Sequence, residues 1–202
     1  MLDATIKRRI DPTLTVMGRW LAERGATPNG VTISAFLAGM IAAAAIANGY
    51  YMTGLVLLLL SRLGDGLDGW VARASGRQSD FGGFLDITLD FAFYGAIPLA
   101  FVLADPATNG VAGAFLLLTF YINGASFLSY AWIAEKRGVE AAARGQKSLL
   151  YTTGLAEATE TITVFVLMCL WPDGFVIMSW LFGVVCLYTG LSRIMLARRA
   201  FA

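Results

Sequence analysis

Histidine is absent from the 202 residues, so neither a His-ligated metal nor a His general base is available, and acid–base work falls to carboxylates. Cysteine occurs twice, at Cys169 and Cys186, each inside an apolar stretch. Both read as small buried hydrophobes, and neither a disulfide framework nor a thiolate metal site is supported. Charge is scarce as well: 14% of residues are charged against 57% hydrophobic, the composition of a polytopic membrane protein rather than of a soluble core. A net charge of +1 gives no reason to expect a nucleic-acid partner. No low-complexity tract and no convincing internal repeat stand out. No cleavable signal is expected, because Lys7, Arg8 and Arg9 lead into Asp11-Pro12 and not into an uninterrupted apolar run.

What is present is a series of apolar segments with cap signals between them. Asp11-Pro12 looks like an N-cap followed by Pro at the first helical position. The next dozen residues place Leu14, Met17 and Leu21 on one face with Val16 and Trp20 beside them, and Arg19, Glu23 and Arg24 as polar partners. That pattern predicts an amphipathic helix on the membrane surface, ended by Gly25; a helix packed on a soluble partner is the alternative. Thr27-Pro28 repeats the cap signal and opens a first span over about 31–49, in which Gly39, Ala43 and Ala47 recur every four positions and permit close helix packing. Further spans are expected over 50–74, 81–104, 110–134, 149–171 and 175–196, with a turn at 105–109. Each reaches the roughly 20 residues needed to cross hydrocarbon. The reading is an all-α integral membrane protein in two parts, a surface helix at 1–26 and six transmembrane helices over 27–202.

Charge placement orients these spans. Lys7, Arg8, Arg9, Arg19, Arg24, Arg77, Lys136, Arg137, Arg144, Lys147, Arg198 and Arg199 fall on one side, whereas the opposite turns at 48–51, 105–109 and 171–174 hold no Lys or Arg. Both termini are therefore expected in the cytoplasm, with the chain in a membrane of bacterial inner-membrane type.

Against this apolar background, residues 65–90 read DGLDGWVARASGRQSDFGGFLDITLD. Ionisable residues inside a membrane are expensive and mark a functional site by default. Asp65, Asp68 and Ala72 share one helix face at i, i+3 and i+7; Gly82, Asp86 and Asp90 share another at i, i+4 and i+8. A polar turn over 75–80 separates them. If the two helices are antiparallel, Asp65 and Asp90 each lie about 15 Å from that turn and Asp68 and Asp86 about 10 Å, at 1.5 Å per residue. The four carboxylates are thus expected to meet as a cage. Clustered carboxylates in a low dielectric need cations to remain ionised, and Mg²⁺ favours a few carboxylates plus substrate phosphates. Two ions about 3.5–4 Å apart are a recurring phosphoryl-transfer arrangement, so two Mg²⁺ or Mn²⁺ ions are expected, with Arg73 near enough to contact a phosphate.

The stretch resembles the signature of the CDP-alcohol phosphotransferase family, D-x2-D-G-x2-A-R, eight residues, then G-x3-D-x3-D. Asp65, Asp68, Gly69, Ala72, Arg73, Gly82, Asp86 and Asp90 supply it without departure. The flanking layout also resembles that family's six-helix membrane fold. The resemblance implies that Asp65, Asp68 and Asp86 hold metal and that Asp90 is the general base while touching a second ion. It implies that Gly69, Ala72, Arg73 and Gly82 line the substrate and nucleotide site, with the two glycines giving the backbone room. The implied reaction is attack of an acceptor hydroxyl on the phosphorus of a CDP-linked donor, with release of CMP. CDP-diacylglycerol suits a site sunk in the membrane, transfer from a soluble CDP-alcohol to diacylglycerol is the alternative, and a homodimer is also implied. A metal or proton transporter and a catalytically silent binding protein are the other classes. The former needs aspartates strung along a path and the latter is favoured by loss of Asp90, neither of which the sequence has.

The acceptor is not readable. Arg62, Glu157, Glu160 and Arg193 lie in or beside apolar segments outside the signature. Arg62 can neutralise the acidic cluster, pair with a glutamate, or contact the acceptor. Glu157 and Glu160, among several threonines, can hydrogen-bond a polyol, attract a cationic head group, or pair with Arg62 or Arg193. The basic segment from Lys136 to Lys147 can recruit an anionic acceptor such as glycerol phosphate, or serve only as a topology signal.

Overall fold

The computed structural model describes residues 2–137 and 155–201, and all regular structure among them is helical. In chain order the helices are α1 (Leu2–Glu23), α2 (Pro28–Ala47), α3 (Tyr51–Ser75), α4 (Asp80–Ala104), α5 (Pro106–Lys136), α6 (Ala158–Leu170) and α7 (Phe175–Phe201), with a 3-10 turn at Pro172–Gly174 before α7.

Local chemistry sets the breaks. Thr27 caps α2 by accepting a hydrogen bond from the Gly30 amide at 3.2 Å, with Pro28 just inside the helix. Gly76 ends α3 at φ +64°, a left-handed conformation that favours glycine, and the Arg77 amide reaches back to the Ala72 carbonyl at 3.1 Å. Ser79 restarts the chain as α4 by accepting from the Gly82 amide at 3.1 Å.

Three boundaries differ from the sequence reading. The first helix does not begin at Asp11-Pro12 but runs from Leu2, so that Pro12, which lacks a backbone donor, lies inside it and not at its first turn. The expected 105–109 turn shrinks to Asp105, whose carboxylate accepts from the Thr108 amide at 3.1 Å, so that α5 starts at once with Pro106. In the fifth segment residues 155–157 are not helical and a helix begins at Ala158; the expected start, 149–154, lies outside the described residues. Among the described residues, four helices are long and apolar enough to cross a membrane: α2, α4, α5 and α7 counted from Pro172. Helix α3 is as long as α4, but Arg62, Asp65 and Asp68 interrupt its apolar character, and α6 has only 13 residues.

The packing order explains where the site forms. Helix α2 packs against both α3 and α4, while α3 and α4 hardly approach each other. Small residues on α2 allow this: a methyl group on Gly39 would lie 2.6 Å from the Phe93 ring of α4 and 2.9 Å from Ser61 Oγ of α3. The space between α3 and α4 is therefore closed by side chains. On the other flank α5 packs along α7, with Phe115 stacked on Trp180 at 4.3 Å. Aromatic contacts tie the two halves together, Phe101 to Phe175 at 5.1 Å and Phe93 to Phe165 at 6.3 Å, around a core that includes fully buried Ile46, Leu58, Ile97, Leu116 and Met168. Helix surfaces away from this core expose Ile33, Leu37 and Ile41 of α2 and Leu181, Val184, Tyr188 and Leu191 of α7, the apolar exterior of a protein solvated by lipid.

Candidate active site

The carboxylates face the gap between α3 and α4. One oxygen from each of Asp65, Asp68 and Asp86 lies within 4.8 Å of the other two, and all three residues are half-buried. Two oxygens on one ion can be separated by at most twice the metal–oxygen distance, about 4.2 Å for Mg²⁺ and about 4.8 Å for a larger ion such as Ca²⁺. The donor set therefore fits a divalent cation, and small side-chain rotations close it on Mg²⁺ or Mn²⁺.

Asp90 lies beside this trio, joined to Asp65 through Arg62. Its Oδ1 accepts a hydrogen bond from Arg62 Nη1 at 2.7 Å, and the same nitrogen lies 3.5 Å from Asp65 Oδ2. Helices α3 and α4 both pack on α2 and leave between them a gap that holds the Arg62 guanidinium, one turn before Asp65. Arg62 thus neutralises the acidic cluster, and the paired glutamate left open by the sequence is not its described partner. Its guanidinium also lies 3.8 Å above the ring centroid of Phe93, itself fully buried, and Nη2 donates to Ser61 Oγ at 3.2 Å.

Thr32 was missed by sequence reasoning. Its hydroxyl donates to Asp68 Oδ2 at 2.6 Å from the first turns of α2, a charge-assisted contact that orients the carboxylate. Thr32 is buried in line with Ala35, Gly39, Ala43 and Ile46, and that stripe of helical spacing was the available signal. The remaining signature residues separate. A methyl group on Gly82 would meet Asn29 Oδ1 and Ser79 Oγ at 3.2 Å, so glycine there does serve close packing. Gly69 has no helix neighbour that close, only Arg73 Nη1 at 3.5 Å from such a methyl. Ala72 is half-buried, and exposed Arg73 lies over the Trp70 ring at 4.1 Å.

The other charged residues belong to α5, α6, α7 and their flanks, of which α6 packs against α3. Arg193 of α7 is buried and donates to the Asn123 side-chain oxygen at 2.6 Å and to its carbonyl at 3.3 Å. Thr189 Oγ1 accepts from the amides of Leu155 and Ala156, both at 3.1 Å, just before α6. Glu157 is the residue preceding α6 and Glu160 lies in its first turn, where Glu160 Oε2 is buried without a hydrogen-bond partner among the described residues. Most of the basic segment 136–147 lies outside the described residues; Lys136 lies 5.4 Å from the Trp132 ring and Arg137 5.3 Å from the Phe201 ring.

Asp65, Asp68 and Asp86 thus converge between two helices of an all-helical fold in an arrangement that fits a divalent ion. The chain belongs to the CDP-alcohol phosphatidyltransferase family, whose family model matches residues 26–198, and it is a transferase of that family. It is 44% identical over 194 residues to Inner membrane protein YnjF of Escherichia coli, across 96% of this chain and 94% of that one. It is 34% identical over 179 residues to archaetidylinositol phosphate synthase of Methanothermobacter thermautotrophicus, across 87% and 77% of the two chains. The fold is shared with phosphatidylinositol phosphate synthase of Mycobacterium tuberculosis at 24% identity and 90% coverage of this chain. The TM-score is 0.66 over 92% of that chain for a crystal structure with CDP-DAG bound. It is 0.65 over 87% for one in complex with manganese and citrate.

Proposed function

We propose that this chain transfers a phosphatidyl group from CDP-diacylglycerol to the hydroxyl of a small polar alcohol and releases CMP. The observation that carries this reading is the convergence of Asp65, Asp68 and Asp86, with Asp90 beside them, in a chain that holds the whole family signature. A membrane-embedded site favours a donor whose acyl tails remain in lipid. Phosphorylated polyols such as glycerol phosphate or inositol phosphate are the acceptors we place first; the relationship to archaetidylinositol phosphate synthase supports that class.

In the proposed reaction the acceptor oxygen attacks the phosphorus that carries diacylglycerol. A new P–O bond forms, the P–O bond to CMP breaks, and CMP leaves with the bonding electrons. The acceptor proton passes to Asp90 Oδ2, the oxygen that Arg62 does not hold. Asp65, Asp68 and Asp86 would hold a divalent ion, Mg²⁺ or Mn²⁺, which supplies Lewis-acid polarisation and charge neutralisation at the phosphates. Thr32 keeps Asp68 aimed into the gap, and Arg73, resting on Trp70 at the exposed end of α3, can reach a phosphate oxygen.

The same reading gives the protein six crossings over 27–202, an inner-membrane location, a site and both termini facing the cytoplasm, and a homodimeric state. Residues 1–26 are read as a surface helix. Burial on α1 supports this: Gly18 packs on Trp70, a methyl there meeting Trp70 Cβ at 2.5 Å, and Leu14 and Leu21 are half-buried, whereas Val16, Met17 and Trp20 point outward. Met17 therefore does not share the inward face with Leu14 and Leu21, and the outward apolar trio suits a bilayer surface.

The test is CMP release by purified protein in lipid nanodiscs, given CDP-diacylglycerol with glycerol phosphate, inositol phosphate, serine or choline. Release that depends on one phosphorylated polyol is expected. Release only from a soluble CDP-alcohol with diacylglycerol refutes the assignment of the donor.

A further inference from the structure

Arg62 is a cation built into the carboxylate site, and it occupies a definite place there. Its side chain is 9% exposed, one edge faces Asp90 at 2.7 Å and Asp65 at 3.5 Å, and its flat face lies 3.8 Å from the centroid of Phe93. Phe93 cannot retreat, because it is fully buried and pressed against Gly39. Ser61 Oγ, also buried, accepts from the guanidinium at 3.2 Å. A planar guanidinium gripped by an aromatic ring, a hydroxyl and two carboxylates is a preorganised ion, with little side-chain freedom left to lose.

A second divalent ion in this gap would need the oxygens of Asp65 and Asp90, since Asp65, Asp68 and Asp86 already converge on one position. Those are the two carboxylates that face Arg62. An ion there would lie in contact with a guanidinium of like charge and would compete with it for the same lone pairs. We propose that Arg62 is the resident second cation of this site, taking the place between Asp65 and Asp90, so that the chain binds one divalent ion and not two. This rests on the reading of the acidic cluster as a metal site and deepens it. Asp90 is left with one oxygen tied to Arg62 and one facing the gap, bound to no metal.

The experiment counts ions directly. Purified full-length chain in nanodiscs is titrated with Mn²⁺ and read by electron paramagnetic resonance and calorimetry, without substrate. The wild type should take up one Mn²⁺ per chain with no Mn–Mn dipolar broadening. Arg62→Gln, which keeps the length but not the charge, should take up a second with such broadening, and Arg62→Lys should remain at one. Two coupled Mn²⁺ ions on the wild type, or a single ion on folded Arg62→Gln, overturns the proposal. Should Arg62→Gln fail to fold by gel filtration, Asp90→Asn decides: retention of the one ion with unchanged affinity supports the proposal, and a tenfold or greater loss of Mn²⁺ affinity refutes it. A wild type that binds two Mn²⁺ and releases CMP refutes this inference alone. One that binds a single Mn²⁺ and releases no CMP with any donor and acceptor refutes the proposed function alone.

Discussion

Gly39→Ala should damage the site without touching a single charged group. The added methyl would lie 2.6 Å from Phe93 Cδ2, 3.0 Å from Phe93 Cε2 and 2.9 Å from Ser61 Oγ. Ordinary carbon contacts begin near 3.5 Å, so ring and methyl must separate by about 1 Å. The ring is fully buried between Arg62 and the Phe165 side of the core, so the displacement passes to the helices or to the guanidinium. Overpacking of this kind costs about 1–3 kcal/mol. For a chain of this size that corresponds to a fall in Tm of about 2–12 °C. Moving Arg62 also moves Asp90, and a 1 Å misplacement of a reacting group can cost about 100-fold in rate. Thermal unfolding of detergent-solubilised protein and kcat for CMP release give the two readouts. Gly95→Ala on α4, where a methyl meets nothing within 4 Å, is the control and should be neutral or gain up to about 1 kcal/mol. If Gly39→Ala matches the wild type in both Tm and kcat, the buttress formed by Gly39, Phe93 and Arg62 has no role.

Asp90→Asn retains a carbonyl oxygen for Arg62 but cannot take the acceptor proton, so kcat at saturating metal should fall about 10²–10⁴-fold; near-normal turnover would remove Asp90 as the base. Thr32→Val keeps the shape and loses the 2.6 Å hydrogen bond to Asp68, which should weaken Mn²⁺ binding about 10–100-fold, measured by calorimetry. Chelation should abolish CMP release and Mg²⁺ or Mn²⁺ should restore it, whereas full turnover in metal-free buffer contradicts the mechanism. For topology, cysteines placed at exposed Ala107 and Asp173 should label from outside intact cells and one at exposed Gln78 from inside. Labelling of Gln78→Cys and Ala107→Cys from the same face overturns the orientation.

The site was largely legible in the sequence because its aspartates repeat at helical spacing within an apolar background, where each departure from hydrophobicity stands out. Helix bounds were legible wherever a short-range cap wrote them, as at Thr27, Ser79 and Gly76. What could not be read was partnership across helices. Nothing in the chain order says that α3 and α4 both pack on α2 with a gap between them, and without that the pairing of Arg62 with Asp90, 28 residues away, looks no better than a pairing with Glu157. The contact between Arg193 and Asn123, 70 residues apart, was hidden for the same reason. The irregular backbone at 155–157 was hidden because leucine, alanine and glutamate suit a helix equally well, and the bonds that hold it come from Thr189 on another helix.

Those two bonds bear on how the protein fits its bilayer. Thirteen residues of α6 span about 20 Å, short of a hydrocarbon layer about 30 Å thick. The Thr189 hydroxyl accepts the Leu155 and Ala156 amides of the irregular backbone before it, so these two donors are satisfied without water. Among the described residues α6 is about 18 Å shorter than α4, which has 25 residues, so Thr189 of α7, and no further described turn of helix, holds its N-terminal end.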